Sequence, residues 1–262
     1  MKDFPISTIT RRKLPVFFIS PHLDDAVLSA GGIMASLSAS VPVTLITVFT
    51  KAGRENTLSA KRFLQLCKEL SGPLLYRKRI REDRVVSQIL DVKINHLGFV
   101  EALWRKKKSI TYLERLFAWL PEIKHTYAAY FFITRGRVAK DDKIVRKAVA
   151  NKLRKILPKN KPYVIFSPIG TGNHVDHVLT RGAIEDVASH PIYWIDLPYA
   201  IRLGRVSPSP RSYKSFRWIK QQSKKKRAIA AYGTQVGGLF AGKEIPDMNE
   251  MFYCKEIVST SL

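Results

Sequence analysis

Two short runs of β-branched and aromatic residues, VFFIS at 16–20 and VTLITVFT at 43–50, are bounded by Pro15, Pro42 or polar residues, the pattern of strands buried on both faces. Between them, in AVLSAGGIMASLSAS, the apolar positions Ala26, Val27, Ala30, Ile33, Met34 and Leu37 recur at steps of three and four, which predicts a helix packed on the sheet. Strand, loop, helix, strand is the opening of a parallel α/β sheet with a right-handed crossover. Helical patterns follow at 58–70 and 82–90, and a clearer amphipathic one, DDKIVRKAVANKLRKIL, runs from 141 to 157 until Pro158 stops it. PYVIFSP at 162–168 then reads as another buried strand, leading into the glycine-rich turn IGTGNHVDH. After Asp196 the periodicity weakens: SPSPRSYKSFRW reads as an exposed loop, QQSKKKRAIAAYGTQVGGLF as a basic helix, and the end as irregular. The expected architecture is α/β, a Rossmann-like parallel sheet flanked by helices. It forms one domain, with a core over 1–195 and a small C-terminal annex over 196–262 that closes the active site at the carboxyl ends of the strands.

Two polar clusters directly follow buried strands. One is Pro21-His22-Leu23-Asp24-Asp25 after VFFIS, the other His174-Val175-Asp176-His177 after YVIFSP. Loops at the carboxyl ends of parallel strands line one crevice, so the clusters can meet although about 150 residues separate them. Together they supply three imidazoles and three carboxylates, more than the three ligands of a catalytic zinc site, leaving groups over for acid and base work. Adjacent aspartates suit this division: one ligates, and its neighbour accepts a proton from water. They also sit at a helix N-terminus, whose dipole favours ionised carboxylates. Each cluster alone has a duller explanation, Asp24 or Asp25 as a helix cap and the histidines as caps or packing groups. The pairing of two such loops after two such strands is what favours chemistry. His96, His125 and His190 have no comparable setting and read as structural or surface residues.

Composition narrows the picture. A chain of 262 residues, 45% of them hydrophobic, can bury a full core. Its two cysteines, Cys67 and Cys254, stand far apart and suggest neither a disulfide framework nor a thiolate site, which points to a cytoplasmic location. No apolar run is long enough for a membrane span, and the start carries neither a signal-peptide nor an anchor pattern. The 45 Lys and Arg against 21 Asp and Glu give a formal charge of +24, spread over short clusters such as RKRIRED at 77–83, RKKK at 105–108 and KKKR at 224–227. Solvated basic faces are the plain reading; steering of an acidic substrate or of nucleic acid is the other.

The residues resemble those of the PIG-L/LmbE-like zinc-dependent N-deacetylases. The family's first motif, His-Pro-Asp-Asp-Glu, looks like His22-Leu23-Asp24-Asp25-Ala26, and its His-x-Asp-His is similar to His174–His177. Intermediate stretches fit as well: Thr50–Gly53, Arg81-Glu82-Asp83, Leu97–Phe99, Glu101–Arg105, Tyr193–Ala200 and Tyr232–Val236. The resemblance implies a Zn2+ ion, or another divalent ion such as Fe2+, on His22, Asp25 and His177, with Asp24 as general base. It further implies His174 as partner of the oxyanion and Asp176 as the catalytic-site residue that orients the histidines. Substrate contacts would come from Arg81, joined by Arg54 and Arg105, and the substrate would be a small N-acylated amino sugar or related amine, possibly anionic. Leu23 and Ala26 depart from the motif's proline and glutamate, and Glu101 stands where the family usually has Asp. The competing readings are a catalytically degenerate basic protein of the same fold that binds nucleic acid or another polyanion, and an iron oxygenase built on His174-Val175-Asp176.

Overall fold

The computed structural model describes residues 6–204, 209–240 and 244–255. A short helix, α1 (Ile6–Arg11), leads into β1 (Val16–Ser20), α2 (Asp25–Ser38) and β2 (Val43–Lys51), the strand–helix–strand unit expected from the apolar spacing. Thr57 caps α3 (Leu58–Leu66) by accepting a hydrogen bond from the Ala60 N–H at 3.1 Å. The expected helix at 82–90 is the second half of a longer one, α4 (Gly72–Leu90), which starts with proline at its first turn and ends at Asp91 in the left-handed conformation. It feeds β3 (Lys93–Val100), an edge strand whose KINHLGFV pattern, only partly buried, lacks the apolar density that marks β1 and β2.

Three short helices follow, α5 (Tyr112–Leu116), α6 (Pro121–Lys124) and α7 (Tyr130–Ile133), and then α8 (Asp142–Ile156), β4 (Val164–Pro168), α9 (Val175–Glu185), β5 (Ile192–Trp194) and α10 (Tyr199–Leu203). The order across the sheet is β3-β2-β1-β4-β5, all parallel. Two antiparallel strands complete it, β7 (Glu250–Lys255) beside β5 and β6 (Tyr213–Trp218) at the far edge. The sheet is therefore mixed rather than wholly parallel. Residues 213–218 of the expected loop form β6, whose one-sided burial gives a weak periodic signal; 207 and 208 lie outside the described residues. The expected single basic helix is two, α11 (Gln222–Ala230) and α12 (Gly233–Phe240). The break has a cause: the Tyr232 hydroxyl donates to Asp83 at 2.6 Å, and the Glu82 carboxylate accepts from the Thr234 N–H at 2.7 Å, starting a new helix. The residues after 196 thus extend the sheet and pack α11 on α2 and α4, as well as bordering the active-site cleft.

Side chains of β1 alternate between two cores, as strand geometry requires. Val16 and Phe18 pack with α2, α4 and α11, while Phe17 and Ile19 pack with α8 and α9.

α2 is kinked at Ala30, where φ −146° leaves the helical region. The second half begins at Gly32 and Ile33, and their N–H groups donate to the Glu250 carboxylate at 2.6 and 3.0 Å. Lys225, 1% exposed, pairs with that carboxylate at 2.9 Å and donates to the Met248 carbonyl. Gly32 is required there, because a Cβ would stand 2.6 Å from the Lys220 carbonyl oxygen. Burial lowers the Lys225 pKa and raises that of Glu250, so each charge persists because of its partner. Lys225→Met should destabilise the fold by about 3–5 kcal/mol, the scale for stranding one buried charge, read as a lower urea midpoint. A midpoint within error of wild type would show that the pair is replaceable.

Candidate active site

The strand order changes direction between β1 and β4: the chain moves outward through β2 and β3 on one side and through β5 on the other. Loops leaving the carboxyl ends of β1 and β4 therefore part to opposite faces and open a crevice between them. The first loop is folded by Ser20, whose hydroxyl donates to the His22 carbonyl at 2.6 Å and accepts from the Ala26 N–H at 3.0 Å. Leu23 is buried in the cluster that holds Leu103, Trp104 and Val175. The second loop passes through Gly172 at φ +88°, with the Tyr199 ring so close that a Cβ would lie 2.7 Å from it. It ends at His174, the N-cap of α9.

His22, Asp24, Asp25 and His174 line a cleft of about 560 Å³, with His177 fully buried beneath them. Donor atoms of His22, His174 and His177 lie within 4.8 Å of one another. Asp25 Oδ2 stands between two of these rings, 3.0 Å from His22 Nδ1 and 3.2 Å from His177 Nε2. A tetrahedral ion with bonds of ~2.0–2.1 Å separates its donors by about 3.3 Å, so this triplet already has the spacing of a coordination shell. The outer nitrogens are anchored by carboxylates. His22 Nε2 is 3.2 Å from Asp176 Oδ2, and His177 Nδ1 is 2.7 Å from Asp196 Oδ1. Protons on those outer atoms leave lone pairs at His22 Nδ1 and His177 Nε2, both aimed at Asp25, which is the tautomer a metal-binding histidine takes. His177 Nε2 is buried and lacks any hydrogen bond of good geometry.

Charge agrees with geometry. Burial alone would lower the pKa of both rings, yet Asp25, with Asp176 beside His22 and Asp196 beside His177, raises His22 well above its ordinary value and His177 to about 10. The ring protons stand in for a cation that the carboxylates demand, and a divalent ion fits the same place.

Asp24 does not cap α2, since its side chain makes no cap hydrogen bond. Burial, then the negative charge of Asp25, pushes its pKa up to about 7. The helix dipole therefore does not keep both aspartates strongly acidic: Asp25 falls well below the usual range because His177 and His22 outweigh its burial, and Asp24 rises. A carboxylate tuned near neutrality is suited to taking and returning a proton. His174 differs from the other two histidines. Its Nδ1 accepts from the Asp176 N–H at 3.2 Å, and burial, then His22, lowers its pKa well below 6.5. Its Nδ1 is occupied as an acceptor, which leaves Nε2 as the nitrogen free to donate or to ligate.

Asp176 is fully buried and does not line the cleft; it is a positioning residue for His22, held by the Ala102 N–H at 2.9 Å and by Arg105 Nη2 at 2.7 Å. Arg105 also pairs with Asp142, which accepts from the Tyr127 hydroxyl. Substrate contacts expected at Arg54, Arg81 and Arg105 do not match this arrangement. Arg54 and Arg81 are exposed and outside the cleft, and Arg105 is buried behind Asp176. The arginine facing the cleft from α4 is Arg79, two positions earlier, which α4's helical phase sets on the buried side with Leu75, Tyr76 and Asp83. Arg62 and Arg202 stand at the mouth. Glu101, 7% exposed and with Oε2 unpartnered, also lines the cleft, its pKa raised to about 7 by burial. Sequence reasoning missed Asp196, although it follows β5 as the two motifs follow β1 and β4. Its second oxygen accepts from the Gly170 and Thr171 N–H groups, both at 2.7 Å, so it fixes the turn as well as the ring.

Comparison with known proteins gives a consistent picture. Residues 17–188 match the family model PIG-L, described as GlcNAc-PI de-N-acetylase. A curated relative, the 2'-N-acetylparomamine deacetylase of Streptomyces fradiae, is 25% identical over 195 residues, which are 72% of this chain and 59% of that protein. A solved deacetylase–bog complex from the teicoplanin biosynthesis pathway superposes with a TM-score of 0.74 at 22% identity, over 92% of this chain and 97% of that one. The zinc-inhibited form of teicoplanin deacetylase gives 0.72 at 22% identity and the same coverage.

Proposed function

The chain belongs to the PIG-L family, and on that premise we propose that it is a metal-dependent hydrolase that removes an N-acetyl group from an amino sugar or a related amine. The observation that carries the reading is the Asp25 oxygen set between two imidazole nitrogens whose outer atoms are clamped by Asp176 and Asp196. The relatives' descriptions agree with the deacetylation, one being a 2'-N-acetylparomamine deacetylase and another a teicoplanin deacetylase, the latter described in a zinc-inhibited form.

His22, Asp25 and His177 would hold the ion, zinc or another divalent metal, which when bound acidifies water and polarises the acyl oxygen. Asp24, unbonded and tuned near neutrality, accepts the proton of the attacking water and returns it to the amine nitrogen as the C–N bond breaks. His174 donates from Nε2 to the oxygen on which negative charge develops; a neutral donor suffices, because it only has to be aimed there beforehand. The unpartnered Oε2 of Glu101, Nε of Arg79 and Nε2 of Gln235 border the cleft and suit the hydroxyl and carbonyl groups of a sugar.

A panel of N-acetylated amino sugars, neutral and acidic, should yield free amine with the purified protein. Chelation should abolish release, and His174→Ala should slow it by roughly 10²–10³-fold with the metal retained. No amine release from any member of the panel by metal-loaded protein would count against the deacetylase reading.

A further inference from the structure

Eight of the eighteen exposed large apolar side chains among the described residues fall between Tyr112 and Phe132. That is far more than scattered surface residues would place in so short a stretch. α5 shows why they are unusual: Tyr112, Leu113, Leu116 and Phe117 recur on one helical face, yet none of the helix's residues is buried. Trp119 follows at 75% exposure, and Phe131 on α7 at 56%. Hydrogen bonds make this one connected surface. Turns link Phe117 to Leu120 and Leu120 to Ile123, Glu122 on α6 accepts from the Leu58 N–H, and Ser59 accepts from the Tyr130 N–H at the start of α7.

Cations flank this stretch, which itself holds two Lys and Arg and two Glu between 112 and 132. Residues 106–140 hold eight Lys and Arg against two Glu. Lys108, Arg115, Arg137 and Lys140 are exposed and make no ion pair among the described residues, and the Arg135 guanidinium lies 3.8 Å over the Phe131 ring. Exposed aromatics and leucines flanked by unpaired cations suit a surface that settles into the headgroup layer of an anionic bilayer. No helix among the described residues is long and apolar enough to cross a membrane, so attachment would be at the interface.

We propose that the 106–137 surface docks on an anionic phospholipid membrane. Tyr130 heads α7 and also lines the cleft, so docking holds the mouth of the active site beside the lipid surface. The proposal does not rest on the hydrolase reading, and its test needs no turnover.

The purified 262-residue chain should co-sediment with phosphatidylcholine vesicles containing phosphatidylglycerol, and much less with phosphatidylcholine alone or at high salt. Trp119 is a native reporter, because Trp104, Trp194 and Trp218 are buried. Its emission should shift to the blue on binding and be quenched by lipids brominated in their acyl chains. Phe117→Ser/Trp119→Ser should lower the vesicle partition by about tenfold or more, and Arg115→Glu should weaken the dependence on phosphatidylglycerol. All three positions are exposed, and circular dichroism should show the variants folded. Absence of co-sedimentation with the anionic vesicles, or binding that ignores the double substitution, overturns the proposal. So does a concentration-dependent dimer, seen by sedimentation velocity, that the double substitution abolishes, because the patch would then belong to a second copy of the chain.

Discussion

Asp24→Asn is expected to bind the ion as the wild-type chain does while losing about 10²- to 10⁴-fold in kcat, the range for removing a positioned general base. The expectation follows from what Asp24 does and does not touch. It lines the cleft next to Asp25, yet neither caps α2 nor joins the clamp of Asp176 and Asp196 around the histidines. Asparagine keeps its volume and its place at the start of the helix, so the fold and the ion should survive. Only the ability to hold a proton is removed. Metal content measured alongside single-turnover rates separates the two effects. An Asp24→Asn protein that deacetylates as fast as wild type would leave the residue without a catalytic role. One that loses its metal would make Asp24 part of the shell.

The parts of the fold legible in the sequence are those where burial is two-sided or follows one clear helical phase. β1 and β2 are nearly solid apolar runs, and the amphipathic phase of α8 has a single register, so both kinds of signal survive without tertiary context. β3, β5 and β6 were not legible for different reasons. β3 lies at an edge and is only partly buried, β5 has three residues, and β6 is mostly exposed with one buried residue at its end. The end of the basic helix at Tyr232 depends on Asp83 and Glu82, about 150 residues away, which no local pattern contains.

The site divides in the same way. Residues inside the two motifs come together because the switch in strand order is a consequence of fold class, which the alternation of strand and helix already implies. Residues reached by long side chains do not follow from it. Arg105 is close to the motifs but spends its guanidinium on Asp142 and Asp176, whereas Arg79 reaches the cleft because of a helical phase fixed by Leu75 and Tyr76. A two-residue shift in register on α4 exchanges a buried arginine for an exposed one.

His177→Ala should lose the metal and with it all measurable turnover, and comparison with three neighbouring variants decides which groups form the shell. The donor atoms of three histidines are close enough to bind an ion without any carboxylate. Hydrogen bonding argues for a different set. His174 Nδ1 accepts a backbone N–H, which in a neutral ring puts the proton on Nε2; a protonated nitrogen has no lone pair to give. Asp25 Oδ2, by contrast, is at donor–donor distance from both remaining lone pairs. Asp25→Ala should therefore lose the ion as His177→Ala does, while His174→Ala keeps it. Asp196→Asn is the subtler case, since it preserves shape but exchanges a carboxylate for an amide opposite His177 Nδ1, removing the charge that holds the proton on that side. Loss of such an outer partner typically weakens metal affinity by about 10–100-fold. Competition with a chelator of known affinity reads all four variants on one scale. A His174→Ala protein that releases metal as readily as His177→Ala would make the three-imidazole set the true shell and leave Asp25 as its neighbour.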